Sequence, residues 1–136
     1  MDEERRALVS ARLAKAARKL AAAHADIEAA RWDEAASRAY YAMFHAARAL
    51  LAARGVSART HAGLAAVFAD ELVRTKELDA DLGRWLGQGR RARELGDYDD
   101  FLSIDAQEAK EAVSRATRFL DEARRWLTAR GFAVEP

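Results

Sequence analysis

Every long segment of the chain returns its apolar residues at intervals of three and four, and no stretch alternates with period two for long enough to make a half-buried strand. A chain with that pattern hides its hydrophobic side by packing helix against helix. The punctuation agrees, since one proline and seven glycines in 136 residues leave few places where a helix must break. Apolar residues at 51% supply a core, and charged residues at 33% supply its outer faces, a balance unlike that of a disordered chain. At this length a single domain, residues 1–136, is expected to bury roughly two-thirds of its unfolded surface.

The spacing predicts a first helix from about Glu3 to about Ala25, carried by Leu13, Ala17, Leu20 and Ala23, and then a turn from Asp26 to Trp32. Asp33 is the expected N-cap of a second helix, which Gly55 ends by taking the left-handed conformation. Thr60 is the expected N-cap of a third helix through Ala65, Phe68 and Leu72, followed by a polar connection, "RTKELDAD". A fourth helix carries Leu82, Trp85 and Leu86, and its glycine-punctuated far end, "GQGRRARELGDYDD", reads as irregular or as a helix terminus. Ser103 is the expected cap of the last helix, where Ala109, Val113, Ala116, Leu120, Ala123 and Trp126 or Leu127 make the cleanest stripe and Gly131 makes the stop. Short connections favour antiparallel neighbours. The expected fold is therefore all-α, an up-and-down antiparallel bundle of four main helices plus a shorter inserted helix.

Charge and motif content narrow the function classes. The 23 Lys and Arg nearly cancel 22 Asp and Glu, so the net charge is +1 and any anion site must be local. Without cysteine there is no disulfide framework and no thiolate zinc site, which suits a cytoplasmic location. The opening "MDEERRALVSARLAKAARKL" interleaves charges with apolar residues and lacks the hydrophobic run of a signal peptide or membrane span, so no membrane association is expected. His24, His45 and His61 share no ligand spacing, and the chain contains no HExxH, Gly-rich phosphate loop, GxSxG or CxxC, so neither a metal nor a cofactor is expected.

Two stretches concentrate groups able to do chemistry. In "SRAYYAMFHAARALLAARG", residues 37 to 55, helical spacing puts Ala36, Tyr40, Met43, Phe44, Ala47, Leu50 and Leu51 on one face as core. Ser37, Tyr41, His45 and Arg48 fall on the flank beside it, a polar ridge along the edge of the core. Tyrosines there serve as packed rings with one hydroxyl partner, or as one wall of a binding surface. In "RWLGQGRRARELGDYDDF", Arg84, Arg90, Arg91 and Arg93 precede Asp97 and Tyr98, and basic groups beside an aromatic ring suit a phosphate and a stacked base. An Arg93–Asp97 salt bridge one turn apart accounts for the same pattern structurally.

With those stretches in view, "AASRAYYAMFHAARALLAARG", "RTHAGLAAVF" and "RARELGDY" resemble, in order and spacing, the HEPN domain family of higher eukaryote and prokaryote nucleotide-binding proteins, and within it the small stand-alone bacterial and archaeal branch. The resemblance implies a bundle of about four or five helices that commonly forms a homodimer. It also implies a minimal nucleotidyltransferase partner, in a pairing like that of a toxin and antitoxin. Several HEPN branches are metal-independent ribonucleases, in which an R-x4-6-H motif helps a ribose 2′-hydroxyl attack the adjacent phosphate. Here four residues separate Arg93 from Tyr98, so tyrosine stands where the active nucleases carry histidine, and a phenol with an ordinary pKa of about 10 is a poor proton acceptor at neutral pH. Two other pairs, Arg38 with His45 and Arg54 with His61, also fit the spacing, away from the late helix.

The reading is a HEPN protein that binds RNA or a nucleotide with little or no catalysis. Arg93, Asp97, Tyr98 and His45 are the catalytic candidates of a residual ribonuclease, and Ser37, Tyr41, Arg48, His61 and Arg90 are the binding candidates. A protein-interaction scaffold without nucleotide is the third reading.

Overall fold

A computed structural model describes residues 3–99 and 103–134, the side chains of Asp97 and Tyr98 excepted. The elements are α1 (Glu3–Glu28), α2 (Trp32–Ala53), α3 (His61–Phe68), which runs on as a π-helical turn (Ala69–Val73), α4 (Ala80–Tyr98) and α5 (Ala106–Ala129). They form the all-helical bundle that the periodicity predicts, with α3 as the short inserted piece. Among the described residues there is no strand.

The second helix is the axis of the molecule. It packs most extensively against α1, next against α5, and also against α3 and α4. A one-sided apolar face is therefore too narrow a description of it. Besides Tyr40, Met43, Ala47, Leu50 and Leu51, the alanines at 35, 39, 42, 46 and 49 are buried, and these line further sides of the helix. Small side chains let neighbouring helices come close on several sides, which dispersion forces reward. The stripe on α5 closes the core as expected, with Phe119 of α5 stacked on Phe68 of α3 at 5.4 Å between ring centres.

Four local readings are corrected by the structure. The first helix runs on to Glu28, so Asp26 lies inside it. Asp33 does not cap α2, whose N-cap is Arg31. Its carboxylate instead accepts the backbone N–H of Ile104 at 2.8 Å, pinning the segment before α5 to the start of α2. The cap of α5 is Asp105 rather than Ser103, in a reciprocal capping box with Glu108. Finally, "GQGRRARELGDY" is continuous helix. Gly89 serves close packing rather than breakage: a Cβ there would stand 2.8 Å from Cδ1 of Tyr40, so the bare backbone lets α4 lie directly on α2. The N-cap at Thr60 and the left-handed stops at Gly55 and Gly131 are as the sequence predicts.

A buried carboxylate locks the α1–α2 corner. Asp26 is fully buried and receives Nε of Arg31 at 2.9 Å and Nη1 of Arg38 at 2.7 Å on both oxygens. Burial alone would raise its pKa, but the hydrogen bonds and charges of the two arginines outweigh burial and leave it lowered, so the group is an anion in the fold. The corner between them is tight, with Ala30 left-handed at φ 56°. At the opposite end Glu77 gathers Arg54, Arg130 and the Thr75 hydroxyl, tying the C-terminal end of α2 to that of α5.

The corner makes an asymmetric prediction. Arg38→Leu strands part of a buried charge and should cost about 3 kcal/mol in urea unfolding. Asp26→Ala should cost less, because Arg31 and Arg38 are 51% and 44% exposed and can turn to water. The reverse order would contradict the lock.

Candidate functional site

The α2 ridge and the α4 arginines meet at one place. Close packing at Gly89 sets α4 on Tyr40, and one turn later the guanidinium of Arg93 lies 5.1 Å from the ring centre of Tyr41. His61, the first residue of α3, completes the cluster. Its ring stacks on Phe44 at 4.3 Å, and its Nδ1 is 2.7 Å from the Tyr40 hydroxyl. Burial pushes the Tyr40 pKa up to about 12, so the phenol keeps its proton. Burial first, then the positive charges of Arg93 and Arg90, hold His61 below its ordinary value, with Glu94 opposing them. Near neutral pH the imidazole is therefore uncharged.

Hydrogen-bond direction decides what His61 offers. When the phenol donates to Nδ1, the ring hydrogen sits on Nε2, a donor suited to a phosphate oxygen. When Nδ1 donates instead, Nε2 is bare and accepts protons. The cluster thus combines a cation, a half-buried tyrosine face and an imidazole of selectable polarity.

The other anticipated residues fall in different surroundings. Arg90 is half-buried and ion-paired with Glu94 at 2.9 Å, its Nε buried without a partner. Ser37 lines a groove of about 760 Å³ between α2, α4 and α5, which Arg93, Met43 and the exposed Leu95 also border. Arg48 lies over Phe44 at 5.8 Å. The side chains of Asp97 and Tyr98 lie outside the described residues, although both positions continue α4.

His45 is buried on the α1 side of α2. Burial, then the charges of Lys15, Arg48, Lys19 and Arg12, bring its pKa down to about 4, and Arg93 is not among these fields. It meets the cluster only through the backs of Phe44 and Tyr41, at 5.2 and 6.3 Å between ring centres. The arginines of the two incidental pairs are structural: Arg38 is held by Asp26 and Arg54 by Glu77. The sequence reading places Tyr40 largely in the core, as a packed ring with one hydroxyl partner, keeps Phe44 as core and gives Glu94 no part; the partner of that hydroxyl is His61. Which residue of α2 reaches α3 depends on the path of the loop after Gly55, which one-dimensional spacing does not encode.

A model of the HEPN domain matches residues 9–126, nearly the whole chain and all three stretches that build this cluster. The chain belongs to the HEPN domain family. Among its HEPN relatives, "Putative toxin MJ0142" of Methanocaldococcus jannaschii is 32% identical over 96 residues, covering 71% of this chain and 65% of its own length. The chain thus spans a little under two-thirds of that archaeal protein. The UPF0332 protein glr0978 of Gloeobacter violaceus is 34% identical over 114 residues, covering 83% and 90%, and "Putative toxin MJ0605" of M. jannaschii is 28% identical over 127 residues, covering 93% and 94%. In this HEPN chain the late-motif arginine stands over an α2 tyrosine, and the histidine beside that pair is His61 of α3. No group of three or more His, Asp or Glu among the described residues could hold a metal ion, and no described helix is long and apolar enough to cross a membrane.

The buried His45 has a measurable consequence. Its folded pKa of about 4 lies below the ordinary 6.5, so between those values the unfolded chain binds a proton that the fold refuses. Stability should fall as pH drops from about 6.5 towards about 4, by up to about 3 kcal/mol, and this contribution should level off below that. His45→Gln should flatten that part of the pH–stability curve in chemical denaturation, and an unchanged slope would count against a neutral buried imidazole.

Proposed function

We propose that the chain is the HEPN component of a pair resembling a toxin and its antitoxin, that its partner is a nucleotidyltransferase, and that it binds RNA or a nucleotide with little or no catalysis. The observation that carries the binding reading is the Arg93 guanidinium over Tyr41 beside the neutral His61. A guanidinium neutralises a phosphate, a tyrosine face accepts a base, and an Nε2–H supplies the second donor. The toxin-like role is supported by the names of two archaeal relatives. The nucleotidyltransferase and a homodimer come from the family resemblance, and Leu95, 62% exposed at the α4 edge of the groove, is an apolar anchor suited to a second surface.

Fluorescence anisotropy with a labelled single-stranded RNA tests the site. Arg93→Ala should weaken binding about tenfold or more, the usual weight of one charge-assisted hydrogen bond. Equal affinity of wild type and variant, or no binding by either, would favour the scaffold reading, in which the same surface takes a protein. Co-expression with the nucleotidyltransferase of a neighbouring gene should give a complex that copurifies.

A metal-independent endoribonuclease is the second reading, favoured by the placement of His61 in the field of Arg93 with Nδ1 anchored by Tyr40. In the tautomer with Nε2 bare, His61 would take the proton of a ribose 2′-hydroxyl as its oxygen bonds to phosphorus, the P–O5′ bond breaks, and the leaving 5′-oxygen takes the proton back from the imidazolium, while Arg93 stabilises charge on the phosphate. RNA incubated in EDTA should then yield fragments ending in 2′,3′-cyclic phosphate, and both His61→Ala and Arg93→Ala should abolish them. Intact RNA removes this reading and leaves binding.

A further inference from the structure

The outer edge of α1 carries a second concentration of charge. Arg12, Lys15 and Lys19 follow one another at intervals of three and four and share an arc of about 60° on that helix. Across the α1–α2 seam stands Arg48, whose carbonyl accepts Nη1 of Arg12 at 3.1 Å. None of the four forms an ion pair among the described residues, whereas Arg38, Arg54, Arg90 and Arg115 each hold a carboxylate. A chain with almost balanced charge has thus left four cations unneutralised on one edge.

Two further observations give that edge a direction. His45, 7% exposed, lies within the field of all four cations, and its Nδ1 is buried with no partner. The strongest charges acting on it are those four, all positive. The edge is also continuous with the cluster around Arg93 through rings: Arg93 over Tyr41 at 5.1 Å, Tyr41 against Phe44 at 6.0 Å, and Arg48 over Phe44 at 5.8 Å. An aromatic strip therefore has a guanidinium at each end.

We propose that Arg12, Lys15, Lys19 and Arg48 form a phosphate track that carries single-stranded RNA away from the Arg93–Tyr41 site along the α1–α2 edge. The track rests on the nucleotide-binding reading of Arg93. Tyr41 and Arg48 are seven residues apart, about 10 Å along the helix, so a ligand engaging both ends carries more than one phosphate. A polynucleotide fits better than an acidic protein segment because aromatic rings lie between the cations, where bases stack.

The experiment is a salt titration of binding, by fluorescence anisotropy, with a labelled twelve-nucleotide single-stranded RNA and the full chain. Lys15→Gln with Lys19→Gln changes two side chains at the surface, and circular dichroism checks that the fold is kept. The double variant should bind roughly tenfold more weakly, and its slope of log affinity against log salt should be shallower by about 1.4, or 0.7 for each phosphate no longer neutralised. A 5′-mononucleotide, which reaches only the Arg93 end, should bind wild type and double variant alike.

Unchanged RNA affinity and slope in the double variant, with weaker binding by Arg93→Ala, would overturn the track and leave the Arg93 site standing. Weaker binding by the double variant with no change in Arg93→Ala would remove the Arg93 site and overturn the track that starts there, leaving only an isolated basic edge. Competition by polyglutamate as effective as that by RNA would overturn the assignment to nucleic acid, as would a wild type that binds no RNA.

Discussion

Everything in this fold is arranged around a helix with almost no outside. α2 has neighbours on several sides, and it is tolerated there because its sequence alternates large apolar residues with alanines that are completely buried, among them Ala35, Ala39, Ala46, Ala47 and Ala49. Each alanine gives a neighbouring helix a shallow groove, so tight packing is reached with little side-chain entropy given up. The consequence for function is geometric. Polar rings on such a helix cannot swing into open solvent, and they emerge only where two neighbours part. Tyr41 emerges towards α4, and His45 remains inside on the α1 side.

That confinement explains how much is legible from residue spacing. Helix count, the stops at Gly55 and Gly131, the Thr60 cap and the stripe on α5 are local properties, written in intervals of three and four or in a backbone angle that glycine accepts. Spacing misplaces the caps at Asp33 and Ser103 because a polar residue near a helix start has two uses. Asp33 spends its carboxylate on Ile104, 71 positions away, while Asp105 has a Glu three residues on to complete a reciprocal box. The glycines of α4 read as punctuation because a glycine that admits a neighbouring ring and one that ends a helix look alike in one dimension.

The candidate site is half legible for the same reason. Residue type and motif single out Arg93 and Tyr41, and the two do meet. His45, which stands out for its chemistry and its place on the ridge, faces a rim of cations on α1 that helical periodicity of α2 cannot reveal. His61 takes the position beside the arginine–tyrosine pair because the turn after Gly55 brings the start of α3 back over Phe44. A titratable group's role depends on its neighbours' charges, and those are set by helix packing.

The bare backbone at Gly89 bears on more than helix packing. With an aromatic edge seated against α4 at that point, the phenol that touches the helix is the same one that fixes the imidazole of His61. One side chain thus serves both contacts, its ring edge against α4 and its hydroxyl 2.7 Å from Nδ1 of His61, so the seating of α4 on α2 and the anchoring of that imidazole depend on a single phenol.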